Sequence, residues 1–103
     1  MNKKLKKMDG FKIAIREIPC FLEIGYYSDG KPRIRVVEED GSPYGVLTIN
    51  IPEVDLEEDE ILVKTWSENT PMADTILHST GLFKDTGKRV PSGMVDAEIW
   101  KIL

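Results

Sequence analysis

The chain has 103 residues, 41% of them apolar and 31% charged, which suits one soluble globular domain with its own core and excludes a disordered or collagen-like chain. A single cysteine, Cys20, excludes an internal disulfide, and one cysteine with one histidine falls short of the three or four N/S ligands of a zinc site. The net charge of −4 is unevenly spread: Lys3, Lys4, Lys6, Lys7, Lys12 and Arg16 make the beginning basic, whereas the stretch from Glu38 to Glu60 holds no Lys or Arg.

Residues 1–10 read as a flexible basic arm, and residues 11–103 as a single α+β domain. No apolar run follows the basic start as a secretory leader requires, and none approaches the roughly 20 residues that cross a bilayer. A cytoplasmic protein that does not enter membranes is therefore expected. Phe11 to Ile18 alternates with period two, as a strand with one wet face does. Pro19 then interrupts pairing, which points to an edge or a bulge. Phe21 to Tyr27 and Arg33 to Glu38 form the next two strands, joined by the Asp29-Gly30 turn signal. Another turn cluster, Glu39 to Pro43, leads into a fourth strand from Tyr44 to Ile51, ended by Pro52. The connection from Pro52 to Glu60 reads as too polar for the core, and Ile61 to Trp66 as a fifth strand.

A helix comes next. Asn69 or Thr70 can cap its start, Pro71 suits its first turn, and Gly81 supplies a left-handed stop with Leu82 beyond it. Met72, Ala73, Ile76, Leu77 and Thr80 form one apolar stripe at helical spacing. Lys84 to Val90 reads as a polar return with a short strand at Arg89 and Val90. Pro91-Ser92-Gly93 then turns the chain into a closing strand from Met94 to Ile102. The expected fold is α+β, an antiparallel sheet of five or six strands with one helix packed on one face. The expected core includes Ile15, Leu22, Ile34, Val36, Leu47, Leu62, Trp66, Ile76, Val95, Ile99 and Trp100.

Few residues have the pattern of reaction chemistry. Cys20 lies between proline and apolar residues and is expected to pack. His78, the one imidazole, falls on the polar flank of the helix. Thr86-Gly87-Lys88-Arg89 lacks the upstream glycine and the strand–loop–helix setting of a phosphate loop. The run from Glu53 to Glu60 lacks the glycine and ligand spacing of a calcium loop. No catalytic, metal or cofactor residues are assigned, and the chain is read as not an enzyme. Two surfaces remain as candidates. Lys3, Lys4, Lys6 and Lys7, with Tyr26, Tyr27, Arg33 and Arg35 on neighbouring strands, offer phosphate contacts and stacking planes for nucleic acid, against the repulsion of an acidic domain. Glu53, Asp55, Glu57, Glu58, Asp59 and Glu60 form an acidic tract that either solvates a loop or steers a basic partner.

The half from Tyr44 onward resembles a family of small uncharacterised domains carried by phages, plasmids and conjugative elements of bacteria. The resemblance lies in L-T-x-N-x-P at Leu47 to Pro52, W-S-E-N at Trp66 to Asn69, and T-G-x-x-V-x-S-G at Thr86 to Gly93. It implies the company of inhibitors of host defence, anti-CRISPR or anti-restriction proteins that act by binding. A host defence protein such as an RNA-guided nuclease is then the expected partner, met by occlusion or by acidic mimicry of DNA. Two alternatives stay open: an accessory protein binding the element's own replication or transfer machinery, and a weak nucleic-acid-binding module.

Overall fold

A computed structural model describes residues 3–103. The elements run α1 (Lys3–Lys7), β1 (Lys12–Ile15), β2 (Ile18–Tyr26), β3 (Pro32–Glu38), β4 (Pro43–Val46), β5 (Glu60–Val63), α2 (Thr70–Ser79), β6 (Phe83–Ser92) and β7 (Val95–Ile102). The class is α+β, but the strands form two antiparallel sheets, β1-β2-β3-β4 and β5-β7-β6, rather than one. The expected fourth strand is where they part and meet. Leu47 donates its N–H to Ile34 of the first sheet at 2.9 Å, and its carbonyl accepts from Lys64, just past β5, at 2.9 Å. Thr48 pairs with Val63, and Ile49 N–H donates to Leu62 at 3.1 Å. One extended segment therefore serves first one sheet and then the other. Helix α2 lies against β1 and β6, one outer strand of each sheet.

The junction is built on polar groups as well as apolar ones. Thr48 is buried, and its Oγ1 accepts the N–H of Ile34 at 3.0 Å. The Tyr27 hydroxyl lies 3.1 Å from Thr48 Oγ1 and donates to the Thr48 carbonyl at 3.1 Å. Asn69 adds a second tie. Its side chain does not cap α2, because a 3-10 turn at Ser67–Asn69 leads into the helix and puts Asn69 itself in a helical conformation. Its Nδ2 instead donates to Val46 at 2.7 Å and Lys64 at 3.2 Å, one carbonyl from the end of each sheet.

The start of the chain is not a loose arm over the described residues. Leu5 and Met8 are 1% and 3% exposed and belong to the main core, so a turn of helix displays its lysines while burying one face. Backbone bonds then hold the chain from Gly10 onward against β2: Gly10 N–H donates to Leu22 at 2.8 Å, and Leu22 N–H to Phe11 at 2.9 Å. Asp9 accepts the N–H of Ile24 at 2.9 Å. The sequence hid this because two apolar residues among lysines carry no resolvable period. Met1 and Asn2 of the expected arm lie outside the described residues.

Pro19 does not end a strand; it pairs with Ala14 of the edge strand β1. The two-residue turn before it holds Arg16 and Glu17 at φ 49° and 69°, the left-handed geometry of a tight hairpin without its usual glycine. α2 stops at Gly81, φ 70°, as expected. The return is one long strand, β6, interrupted by a register shift between Asp85 and Arg89 that Gly87 accommodates at φ 84°. Val95 is 37% exposed and leaves the expected core.

The second sheet is covered on both faces. Ile61, Val63, Trp100 and Ile102 face the main core with Ile76 of α2. Leu62, Ala97 and Ile99 face the other way, with Val90 of β6 beside Ala97, and are covered by Ile49, Ile51, Leu56 and Trp66. The polar-looking connection after β4 is thus a strap laid on the sheet through its apolar residues.

Replacing Asn69 with alanine leaves the carbonyls of Val46 and Lys64 short of a donor and is expected to cost about 1–3 kcal/mol in a denaturant titration. Asn69→Asp keeps the size but faces both carbonyls with an acceptor, so its loss should equal or exceed that of Asn69→Ala at neutral pH. A milder Asn69→Asp would show that shape, not donation, is what the site needs.

Candidate functional site

The strap alternates in chemistry. Ile49, Ile51 and Leu56 pack inward on the second sheet, while Glu53, Asp55, Glu57 and Glu58 stand exposed. Its path is held by a bond from Val54 N–H to Ile51 at 3.0 Å and one from Glu60 N–H to Glu57 at 3.0 Å. Lys31 of the β2–β3 turn braces it from the side. The Lys31 Nζ donates to the carbonyls of Ile51 at 3.3 Å and Pro52 at 3.1 Å, and to Asp29 at 3.0 Å.

The acidic tract divides in two. Glu60, 6% exposed at the start of β5, pairs with Lys88 and accepts the N–H of Glu57 at 2.9 Å. Burial opposes ionisation of Glu60, but the hydrogen bonds from Lys88 and Glu57 outweigh it and hold the carboxyl below its ordinary range. Asp59 pairs with Lys101 at 3.7 Å. These two carboxylates hold the strap's end to the second sheet and are removed from the candidate partner surface. Among the described residues no ion pair engages Glu53, Asp55 or Glu57.

The aromatic and arginine set expected for nucleic acid is split. Tyr26 pairs across from Pro32 on the face that carries the main core, whereas Arg33 and Arg35 pair across from Gly25 and Glu23 on the other face. The Arg33 guanidinium lies over Gly25, 3.1 Å from where a Cβ there would sit, and Arg35 pairs with Glu23 at 2.7 Å. Tyr27 spends its hydroxyl on Thr48. Lys3, Lys4, Lys6 and Lys7 are exposed on α1.

Cys20 is buried in β2; burial, with the nearby charges of Glu38 and Glu39, pushes its thiol up, away from the thiolate. His78 is exposed on α2. In the Thr86–Arg89 turn, Lys88 is taken by Glu60, and Arg89 by Asp85 at 2.8 Å and Glu98 at 3.5 Å. The bond from Arg89 holds the Asp85 carboxyl below its ordinary range against the effect of burial. Among the described residues no group of three or more His, Cys, Asp or Glu could hold a metal ion, and no helix is long and apolar enough to cross a membrane.

Beside the strap lies a groove of about 510 Å³, bounded by Leu5 of α1, Tyr26, the turn from Asp29 to Pro32, and the strap from Pro52 to Glu60. Sequence reasoning missed it because its walls come from three distant segments, one of them the helix read as a loose arm. No protein-family model matches the chain, and comparison with curated proteins and with solved structures gave no match.

Glu60 and Asp85 have folded-state pKa values below their unfolded ones, so their contribution to stability is complete above the ordinary carboxylate range near 4 and is lost as pH falls through the lower folded values. The urea midpoint should hold between pH 7 and 5 and drop toward pH 3. Glu60→Gln should lower it at pH 7 while losing less on acidification, so that the two proteins converge; parallel curves would contradict the assignment.

Proposed function

We propose that this protein is a non-catalytic binding module that lays its acidic strap on a basic, nucleic-acid-handling surface of a partner protein and takes the place of DNA phosphates there. The partner class the sequence resemblance implies is a bacterial host-defence nuclease, RNA-guided or restriction type. The observation that supports this reading is the anchored display of Glu53, Asp55, Glu57 and Glu58. Ile51 and Leu56 pin the backbone beneath them, and Glu53, Asp55 and Glu57 are not neutralised by an internal cation among the described residues. A carboxylate row on a fixed strap loses little ordering entropy on docking and attracts a basic groove at long range. Asp59 and Glu60 act differently: they hold the strap in place. An accessory role for the mobile element's own machinery would use the same surface and differs only in which protein is bound.

The test is capture of a partner from bacterial cells by the immobilised protein, with identification of what is retained. The combined Glu53→Lys, Asp55→Lys and Glu57→Lys variant is the comparison, since these side chains are exposed and take part in no ion pair among the described residues. The wild type should retain a nucleic-acid-binding enzyme that high salt or duplex DNA releases, and the variant should hold it about tenfold less tightly, equivalent to 1.4 kcal/mol. Undiminished binding by the variant, or a complex indifferent to DNA, would contradict the proposal.

A further inference from the structure

The strap belongs to the second sheet; the first sheet keeps an open edge. β1 has one neighbour, β2, whereas β4 at the far side hands on to the second sheet through Leu47. Ile13 and Ile15 pack into the main core with Ala73 and Ile76 of α2, and the alternate residues Lys12 and Ala14 are exposed. Pro19 fixes where the backbone groups of Ala14 point. It stands opposite Ala14, has no N–H, and its carbonyl accepts from Glu39 on the β3 side at 3.3 Å. The Ala14–Pro19 pair therefore exchanges no bond, so the N–H and C=O of Ala14, and by alternation those of Lys12, face away from β2. Among the described residues no hydrogen bond outside the sheet ladder engages them. The outer strand β6 offers no such row, because Pro91 and the register shift around Gly87 interrupt it.

Beside that edge, on the face turned from the core, lies a dimple of about 260 Å³ whose lining includes Lys12, Ala14, Pro19 and Phe21, with Glu39 on the β3 side. Ala14 and Pro19 are exposed and Phe21 is half-buried, so the apolar floor is open to a ligand. A large side chain set across from Ala14 passes over its small methyl and reaches Pro19 and Phe21. Lys12 at the start of β1 and Arg16 just past its end are exposed and in no ion pair among the described residues. We infer that β1 accepts an antiparallel strand from a partner protein, with an aliphatic residue opposite Ala14 and a carboxylate residue two positions to either side, near Lys12 and Arg16. Backbone bonds to Lys12 and Ala14 supply the affinity, the dimple selects the aliphatic side chain, and the two cations set the register. A second copy of β1 is a poor occupant, because it would bring its own Lys12 and Arg16 to the same short edge. No residue of the acidic strap takes part, so this inference goes beyond the docking of the strap and is tested apart from it.

The experiment is an amide NMR titration of the full chain with the terminally blocked peptide Thr-Glu-Thr-Leu-Thr-Glu-Thr. Saturable shifts are expected at Lys12 to Ile15 and at Cys20 and Phe21. N-methylation of the peptide's leucine, whose N–H faces β1, should weaken binding about tenfold, whereas N-methylation of the threonine after it, whose N–H points outward, should leave binding unchanged. On the protein side, Ala14→Glu fills the dimple and repels the flanking carboxylates, and it should also cost about tenfold; Ala14 is exposed, so the rest of the spectrum should stay as it is. The Lys12→Gln, Arg16→Gln double variant should lose about fivefold. The absence of saturable shifts on β1 at millimolar peptide would overturn the inference, as would two N-methyl peptides that bind alike. An Ala14→Glu protein that binds as well as the wild type would do the same. So would a dimer of the free chain whose contact shifts fall on β1, because the edge would then belong to a second copy.

Discussion

The fold depends on three consecutive residues, Leu47, Thr48 and Ile49, that pair with one sheet and then with the other. Without that handover the four-stranded and three-stranded sheets would each present an unfilled edge, and unpaired backbone groups there are costly once buried. Thr48 is suited to the place because a buried hydroxyl can both accept the Ile34 N–H and meet the Tyr27 phenol, so the backbone can leave one ladder before it joins the next. Asn69 repeats the solution from the helix side, with two donors for two carbonyls. Helix α2, lying across the outer strands, completes a ring around the core of Ile76, Trp100, Leu47 and their neighbours.

That closure explains why an acidic connection can be an ordered surface. The chain leaves the handover at Ile49 with its direction fixed, lays Ile51 and Leu56 on the outer face of the second sheet, and enters β5 through the Glu60–Lys88 pair. Between these anchors the side chains left over point to solvent, and they are carboxylates. Mutual repulsion among them would loosen an unanchored loop; here apolar contacts and the Lys31 brace oppose it. Surface and scaffold are therefore one construction, and the groove exists because α1 and the β2–β3 turn close its other side.

Much of this was legible from residue types. The helix from Thr70 to the Gly81 stop, the meander of the first strands and the packing of Cys20 obey local rules of capping, alternation and turn chemistry. The features that escaped were long-range. Thr48 within an alternating strand looks like any wet-face threonine, and only its place between two sheets makes it a buried junction. Asn69 looks like a cap, yet its amide goes to the carbonyl of Val46 in the other sheet and to that of Lys64. Leu5 and Met8, scattered among lysines, look like part of a tail. Glu60 and Asp59 look like their acidic neighbours until Lys88 and Lys101 are brought opposite them. In each case the residue's partner lies far along the chain or on another element, where periodicity carries no signal. The motif segments around Thr48, Asn69 and Gly87 coincide with these junctions and with the bulge in β6, so structural demands at those places suffice to explain the residues found there.

Native-state hydrogen exchange measured against denaturant reads the closure directly. The amides of Leu47, Ile49 and Lys64, which carry the handover, should exchange only through global unfolding, with the same free energy and denaturant slope as Leu22 in the first sheet and Trp100 in the second. Exchange of β5 and β7 through a smaller opening, while β2 and β3 stay protected, would contradict the ring and leave two sheets that merely touch.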